Sequence, residues 1–323
     1  MALRAARHIR RRAASLEYPL GTYTQVIFGG QVSGSIPNAA YLDGTCPITI
    51  VDGDKFYVRG FIVNAAGIVF QNGVVGNTNV PGNFAFGDVF DAAVSGLSDN
   101  TLGGAYTASS GITRYSPMII AARTRKPSIL VIGDSKGYGE NDTGDTSGDI
   151  GEVQRWISPS FANACWAIRG RDASQFNANS AIQASMASFF THLINEDGIN
   201  GFIHGRSAAQ IAIDTDTLAA RFPTLKKLLV TILPAPTSTD SYATLVNQTP
   251  PSYEAGRVTE NTRRRGVPSP WLGCFDSASA VESSPNSGLV AAGLGYYTTS
   301  SVHPKQAGYL AIKATNEVNI GLI

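Results

Sequence analysis

From Lys126 onward the apolar residues fall in short runs separated by longer amphipathic stretches. Ser128-Ile129-Leu130-Val131-Ile132 has the length and β-branched character of a strand covered on both faces. Residues 164–168, 201–204 and 228–233 are further strand candidates. Between them, Ile182, Met186, Phe189, Phe190 and Leu193 recur at helical spacing, and Ile211, Leu218 and Phe222 mark a second helix. A last helix is expected after His303, with Pro304 in its first turn and Leu310 and Ile312 on its inner face. This alternation predicts an α/β domain over residues 119–323, built on a doubly wound parallel sheet.

The first third of the chain has a different texture. Ile48-Thr49-Ile50-Val51 and Lys55-Phe56-Tyr57-Val58-Arg59-Gly60-Phe61-Ile62-Val63 flank Asp52-Gly53-Asp54, which reads as a hairpin. Residues 24–28 and 67–70 are further strand candidates, and residues 88–93 form at most a turn or two of helix. A small β-rich domain, sandwich or barrel, is therefore expected over residues 21–118. No internal repeat is visible.

Residues 1–20 are set apart by charge. Arg4, Arg7, Arg10, Arg11 and Arg12 precede the first acidic residue, Glu17, and no apolar run of secretory-signal length follows them. Three readings stay open at this point: a solvated tail, an arm that docks on a neighbouring subunit, or a transit peptide. Over the whole chain the net charge is +1, which gives no sign of a nucleic-acid partner. No run approaches the ~18 apolar residues of a membrane span, so a soluble chain is expected. Cys46, Cys165 and Cys274 are too few and too scattered for a zinc site or a disulfide framework.

The candidate chemistry lies where strands are expected to end. Gly133-Asp134-Ser135 follows the run at 128–132 directly, so Ser135 sits at a strand-to-loop corner with its hydroxyl over the carboxyl edge of the sheet. Near the end of the chain stands Ser301-Val302-His303-Pro304, followed by Gln306-Ala307-Gly308-Tyr309. A histidine is a fitting base for a serine hydroxyl, because its pKa lets it take and return a proton near neutrality.

An early strand followed by G-D-S, with a late V-H-P-x-x-x-G-Y, resembles the SGNH (GDSL-type) hydrolases over residues 126–323. The resemblance implies a flavodoxin-like sheet, with Ser135 as nucleophile and His303 as general base. It makes Gly170, in Ile168-Arg169-Gly170-Arg171-Asp172, the oxyanion-hole glycine. It sets Gly205-Arg206-Ser207-Ala208 against the family's G-x-N-D block and Ser300-Ser301-Val302-His303 against its D-x-x-H block. Two substitutions stand out: Ser207 where the family has the donor Asn, and Ser300 where it has the Asp that orients the histidine. Loss of one oxyanion donor costs about 10²–10³ in rate. In serine proteases, loss of the orienting carboxylate costs about 10⁴.

Asp276 and Glu282 are open to two readings, as replacement carboxylates for His303 or as members of a solvated loop. Glu140, Asp142, Asp145 and Asp149 read either as a calcium-binding loop or as a solvated rim of the site. Arg169, Arg171 and Arg206 flank the proposed oxyanion blocks, either as an anion clamp or as surface residues. Arg263-Arg264-Arg265 is expected at an exposed helix end.

The leading expectation is thus a serine ester hydrolase with a Ser135–His303 dyad. Gly170 and the Ser135 N–H would make its oxyanion hole, with Ser207 as a third donor, and no cofactor or metal is called for. The β-rich domain favours a polymeric substrate, with an O-acetylated polysaccharide inferred by analogy. A second expectation is of another class: a structural or receptor-binding component of a virion, such as a phage tail or capsid protein, or of another surface assembly. Such a protein would form a homo-oligomer through residues 1–20. Both expectations favour an extracellular or virion-associated location.

Overall fold

The structure is a computed structural model, and it describes residues 11–34, 42–51, 54, 56–63, 101–102, 125–143, 150–158, 160–297 and 300–315. The chain divides into two compact units, residues 1–76 with 87–118 and residues 77–86 with 119–323. The expected strand at 67–70 and helical turn at 88–93 lie outside the described residues, as do residues 1–10 of the basic segment.

In the first unit, β1 (Arg11–Glu17), β2 (Tyr23–Gln25) and β3 (Tyr57–Val63) form an antiparallel sheet in the order β2-β1-β3. The reading of 1–20 as one arm is corrected here, since residues 11–17 are the central strand. Pairing runs from Arg11 opposite Val63 to Glu17 opposite Tyr57. Ser15, Leu16 and Glu17 are buried, and Ser15 Oγ donates to the Thr101 carbonyl. The charge of the segment concealed a short strand in which Ser15, Leu16 and Glu17 are buried. The hairpin expected between 48–51 and 55–63 does not form. Val51 N–H donates instead to the Tyr18 hydroxyl at 3.2 Å, and that hydroxyl donates to Asp54 Oδ2 at 2.6 Å, so β3 takes β1 as its partner.

The second unit is an α/β domain. Its elements are β4 (Ser128–Gly133), α1 (Gln154–Ile157), β5 (Ala162–Ala167), α2 (Ala173–Asn179), α3 (Ala181–Ser185), β6 (His192–Asn195), α4 (Ile199–Ile203), α5 (Ala208–Ala220) and β7 (Lys226–Val230). They continue with β8 (Thr237–Ser238), β9 (Gln248–Thr249), α6 (Glu254–Arg265), β10 (Gly273–Phe275), α7 (Ser277–Val281) and α8 (Gln306–Ala314). Strands β8 and β9 form a small antiparallel pair. The other five make one parallel sheet in the order β10-β7-β6-β4-β5. This is the flavodoxin-like order, with its crevice at the carboxyl end of the first strand, β4.

The alternation along β4 explains the two-faced core. Ile129 and Val131 pack with Val153, Ile157, Ile194, Leu228, Val230 and Phe275 on one side. Leu130 and Ile132 pack with Phe176, Phe190, Leu193, Leu218, Phe222 and Leu225 on the other. Full burial of side chains of this size stabilises by roughly 1.5–3 kcal/mol each, so β4 is firmly held on both faces.

Three sequence expectations change. The third strand is β6, not 201–204: Leu193, counted with a helix, lies in β6, and the run at 201–204 belongs largely to α4. Short buried apolar runs do not distinguish strand from helix by periodicity alone. On α8 the inward residues are Gly308, Tyr309 and Ile312, whereas Leu310 is 44% exposed.

The third change concerns the arginine run. Arg264 is fully buried, because α6 turns a polar face inward with Arg257, Glu260, Asn261 and Arg264. These side chains satisfy backbone groups beyond the end of β7. Arg257 Nη1 donates to the Ile232 carbonyl at 2.7 Å, and Asn261 bonds both the N–H and the carbonyl of Ile232. Arg264 donates to the carbonyls of Val230 and Asp197 and pairs with Glu260.

Arg264→Ala should lower the unfolding free energy by about 3–5 kcal/mol, since it takes the buried donor from two carbonyls and leaves Glu260 only the partly exposed Arg263. Arg263→Ala, at a side chain 22% exposed, should change it by about 1 kcal/mol or less. Urea denaturation of the two variants decides, and equal effects would contradict the buried role of Arg264.

Candidate active site

Beyond β4 the chain folds into a tight loop around one carboxylate. Glu196 Oε2, from the end of β6, accepts the N–H groups of Asp134 at 2.9 Å and Gly137 at 3.1 Å. Lys136 N donates to Asp134 Oδ1 at 3.0 Å, and Tyr138 N to the Asp134 carbonyl at 3.0 Å. Gly139 and Glu140 N–H close on the carbonyls of Lys136 and Ser135. Among the described residues, the N–H of Ser135 alone in the segment 134–140 has no acceptor. The glycines follow from the same contact. A Cβ at Gly133 would stand 2.1 Å from Glu196 Oε2, and one at Gly137 2.8 Å from it.

Beneath the loop lies a buried ionic cluster. Lys136 Nζ contacts Asp134 Oδ1 at 2.7 Å and Glu196 Oε1 at 2.9 Å, with all three side chains almost wholly inaccessible. Burial alone would lower the lysine pKa, but Asp134, Glu196 and Glu152 together hold it above the ordinary value. The carboxylates outnumber the cation. Burial pushes Glu152 up to about 7 against the pull of Lys136 and Ser277, Glu196 is raised well above its ordinary range, and Asp197 rises to about 6.

His303 arrives from the loop before α8. Ser300 Oγ accepts the N–H of Val302 at 3.4 Å and of His303 at 3.2 Å, which fixes the turn that presents the ring. His303 Nε2 lies 2.7 Å from Ser135 Oγ, and Nδ1 lies 3.0 Å from Ser300 Oγ. The tautomer that serves both contacts carries its proton on Nδ1, donating to Ser300, and accepts the Ser135 hydroxyl proton at Nε2. Burial lowers the His303 pKa; Glu140 and Asp134 raise it, while Lys136 and Arg169 lower it.

The other expected site residues divide. Gly170 stands at φ +72° with open space around its α-carbon, in a loop tied to β4 by Ile168 N–H to the Gly133 carbonyl at 3.1 Å. Its own N–H has no acceptor among the described residues. Ser207 is not brought to the pair; it caps α5, and its hydroxyl is engaged with Gln210. The misplaced third strand caused this assignment. The first turn of α4, just after β6, contains Asn200, which is 6% exposed and donates from Nδ2 to the Arg171 carbonyl at 3.0 Å, beside Gly170 in the chain. Reading His192-Leu193-Ile194-Asn195 as the strand would have pointed to it.

The three arginines do not form a clamp. Arg171 is buried, donates to the Gly133 carbonyl at 3.1 Å and lies 4.8 Å above the Phe176 ring. Arg206 pairs with Asp214, and Arg169 pairs with Glu140 through two nitrogens. Asp276 pairs with Arg265, and Glu282 with Arg257, so neither carboxylate serves His303. Asp142 is held by Arg155, while Asp145 and Asp149 lie outside the described residues. No group of three or more metal-ligating side chains occurs among the described residues, nor any helix long and apolar enough to cross a membrane.

No family model and no curated protein sequence matches the chain. Several solved structures are similar at low identity. A GDSL-like lipase from Bacteroides thetaiotaomicron VPI-5482 has 14% identity and a TM-score of 0.42, covering 61% of this chain and 88% of its own. A member of the lipolytic protein G-D-S-L family from Veillonella parvula DSM 2008 has 14% identity and a TM-score of 0.39, covering 59% and 97%. A carbohydrate acetylesterase from Sinorhizobium meliloti has 12% identity and a TM-score of 0.42, covering 61% and 100%. The similar structures thus include members of the G-D-S-L type that the sequence motifs resemble.

The cluster under the loop makes stability depend on pH. Folding raises Glu152 from 4.5 to about 7, so its contribution to stability is full below the unfolded value and is lost as pH rises through the folded one. Asp197 and Glu196 act with the same sign. Glu152→Gln should therefore flatten, without abolishing, the fall in Tm between about pH 5 and 7.5. An unchanged Tm–pH slope would contradict the assignment.

Proposed function

We propose that the α/β domain is a serine carboxylic ester hydrolase that removes acyl groups from a polysaccharide. The observation that carries this reading is the 2.7 Å contact between Ser135 Oγ and His303 Nε2, on a loop whose Ser135 N–H is left free. His303 takes the hydroxyl proton as Ser135 Oγ attacks the ester carbonyl. The oxyanion is received by the N–H groups of Ser135 and Gly170, with the Asn200 amide as a third donor. The imidazolium then returns the proton to the departing alcohol, and water repeats the sequence on the acyl-enzyme. Ser300 orients the ring as a neutral acceptor in place of a carboxylate. No cofactor enters these steps. A polyol leaving group is favoured by the partly exposed Glu140–Arg169 pair beside Nε2, which offers hydrogen-bonding groups instead of an apolar wall.

Ser135→Ala and His303→Ala should each lower kcat for p-nitrophenyl acetate by at least about 10³, and Asn200→Ala by about 10²; the same order is expected for acetate release from an O-acetylated polysaccharide. A wild-type protein that is silent, while Ser300→Asp gains turnover, would mark an eroded site and leave a binding or structural role. General-base catalysis requires neutral imidazole, and burial lowers His303 from its ordinary 6.5. The kcat/KM profile should therefore rise with a midpoint below 6.5 and be flat above it. A midpoint above 6.5 would contradict the geometry.

A further inference from the structure

Ser300 carries no charge to balance the imidazolium that forms when His303 accepts a proton, yet a carboxylate does face the ring from the opposite side. Glu140 Oε2 lies 3.5 Å from His303 Nε2. Its placement is set by three elements. The Glu140 N–H donates to the Ser135 carbonyl at 2.9 Å, within the nucleophile loop. The Glu140 carbonyl accepts the hydroxyl of Tyr309, a fully buried residue of α8, at 2.9 Å. Its carboxylate is gripped by Arg169, from the Gly170 loop, with Nε at 2.7 Å from Oε2 and Nη2 on Oε1.

We propose that Glu140 is the positioning carboxylate of this dyad, stabilising protonated His303 from the Nε2 side where Ser300 leaves the Nδ1 side uncharged. This deepens the hydrolase reading and rests on it. The other charges that bear on the ring are Lys136, Asp134 and Arg169. Lys136 and Asp134 are paired with each other, and Arg169 is bound to Glu140 itself. What singles out Glu140 is proximity: it is paired with Arg169, yet its Oε2 stands 3.5 Å from Nε2, the nitrogen that receives the proton. In the acylation step the Ser135 proton moves to Nε2 as the Oγ–C bond forms. It then passes to the leaving alkoxide as the ester C–O bond breaks. Glu140 keeps its charge throughout and takes no proton.

The test compares wild type, Glu140→Gln, Ser300→Asp and the double variant, using p-nitrophenyl acetate and NMR titration of the His303 imidazole nitrogens. Glu140→Gln preserves the shape of the side chain. It should lower plateau kcat about tenfold with KM within about twofold, and shift the acid limb down by about half a pH unit or more. Ser300→Asp in the Glu140→Gln background should restore most of the rate and move the limb back up. The NMR midpoint should fall in Glu140→Gln in parallel, and it is read without turnover. If wild type hydrolyses no ester, the hydrolase reading fails while the midpoint still decides whether Glu140 governs the ring. An unmoved midpoint, or a moved midpoint with an unchanged plateau rate in an active enzyme, overturns the proposal.

Discussion

The site depends on the reach of Glu196 across the end of the sheet to the loop after β4. One carboxylate oxygen takes two loop N–H groups, and the other meets the Lys136 ammonium. Charge-assisted bonds of this kind are short and directional, so they fix the path of the loop. Their placement leaves the Ser135 N–H without an acceptor among the described residues and sets its hydroxyl against the histidine. The same carboxylate dictates glycine at 133 and 137, where any Cβ would collide with it. Parallel pairing of β4 with β6 brings Ile132 opposite Asn195, which sets Glu196 next to Gly133. Sheet register, glycine usage and the placement of Ser135 thus follow from one contact.

That contact is possible only because the carboxyl edge of the sheet has a polar interior. Isolated charges in such a place would be strongly unfavourable, and each is met by a partner of opposite sign or by a raised pKa. Lys136 offsets part of the charge of Asp134, Glu196 and Glu152, and Glu152 holds a proton toward neutral pH. On the neighbouring flank, the buried arginines of α6 take up backbone carbonyls that no strand partner reaches. The domain therefore combines an apolar middle, around β4, with an ionic end beneath the Ser135–His303 pair.

Much of this was legible in the sequence, and the failures have physical causes. The run 128–132 announced a strand covered on both faces, and the G-D-S and V-H-P motifs named the two residues that meet at 2.7 Å. Gly170 was named through the family resemblance, and it adopts positive φ. The third strand was misread because the apolar part of β6 is only Leu193-Ile194, between His192 and Asn195, while Phe202-Ile203 of α4 makes an equally short apolar pair, and periodicity does not separate them. That error carried the expected donor to Ser207 instead of Asn200, in the first turn of α4. Arginines 257 and 264 were invisible as interior residues because hydropathy places such side chains outside. Glu140 is five residues from Ser135 in the chain, but its role depends on Arg169 and Tyr309, which only the fold brings to it.

The central claim is that a buried loop held by Glu196 presents Ser135 as a nucleophile activated by His303. Its most direct measurement is stoichiometric labelling with a fluorophosphonate, followed by intact mass and peptide mapping. The account predicts one adduct per chain, on Ser135, formed rapidly in wild type and almost absent in His303→Ala. No adduct, an adduct on another serine, or labelling of Ser135 at the same rate without His303 would contradict it.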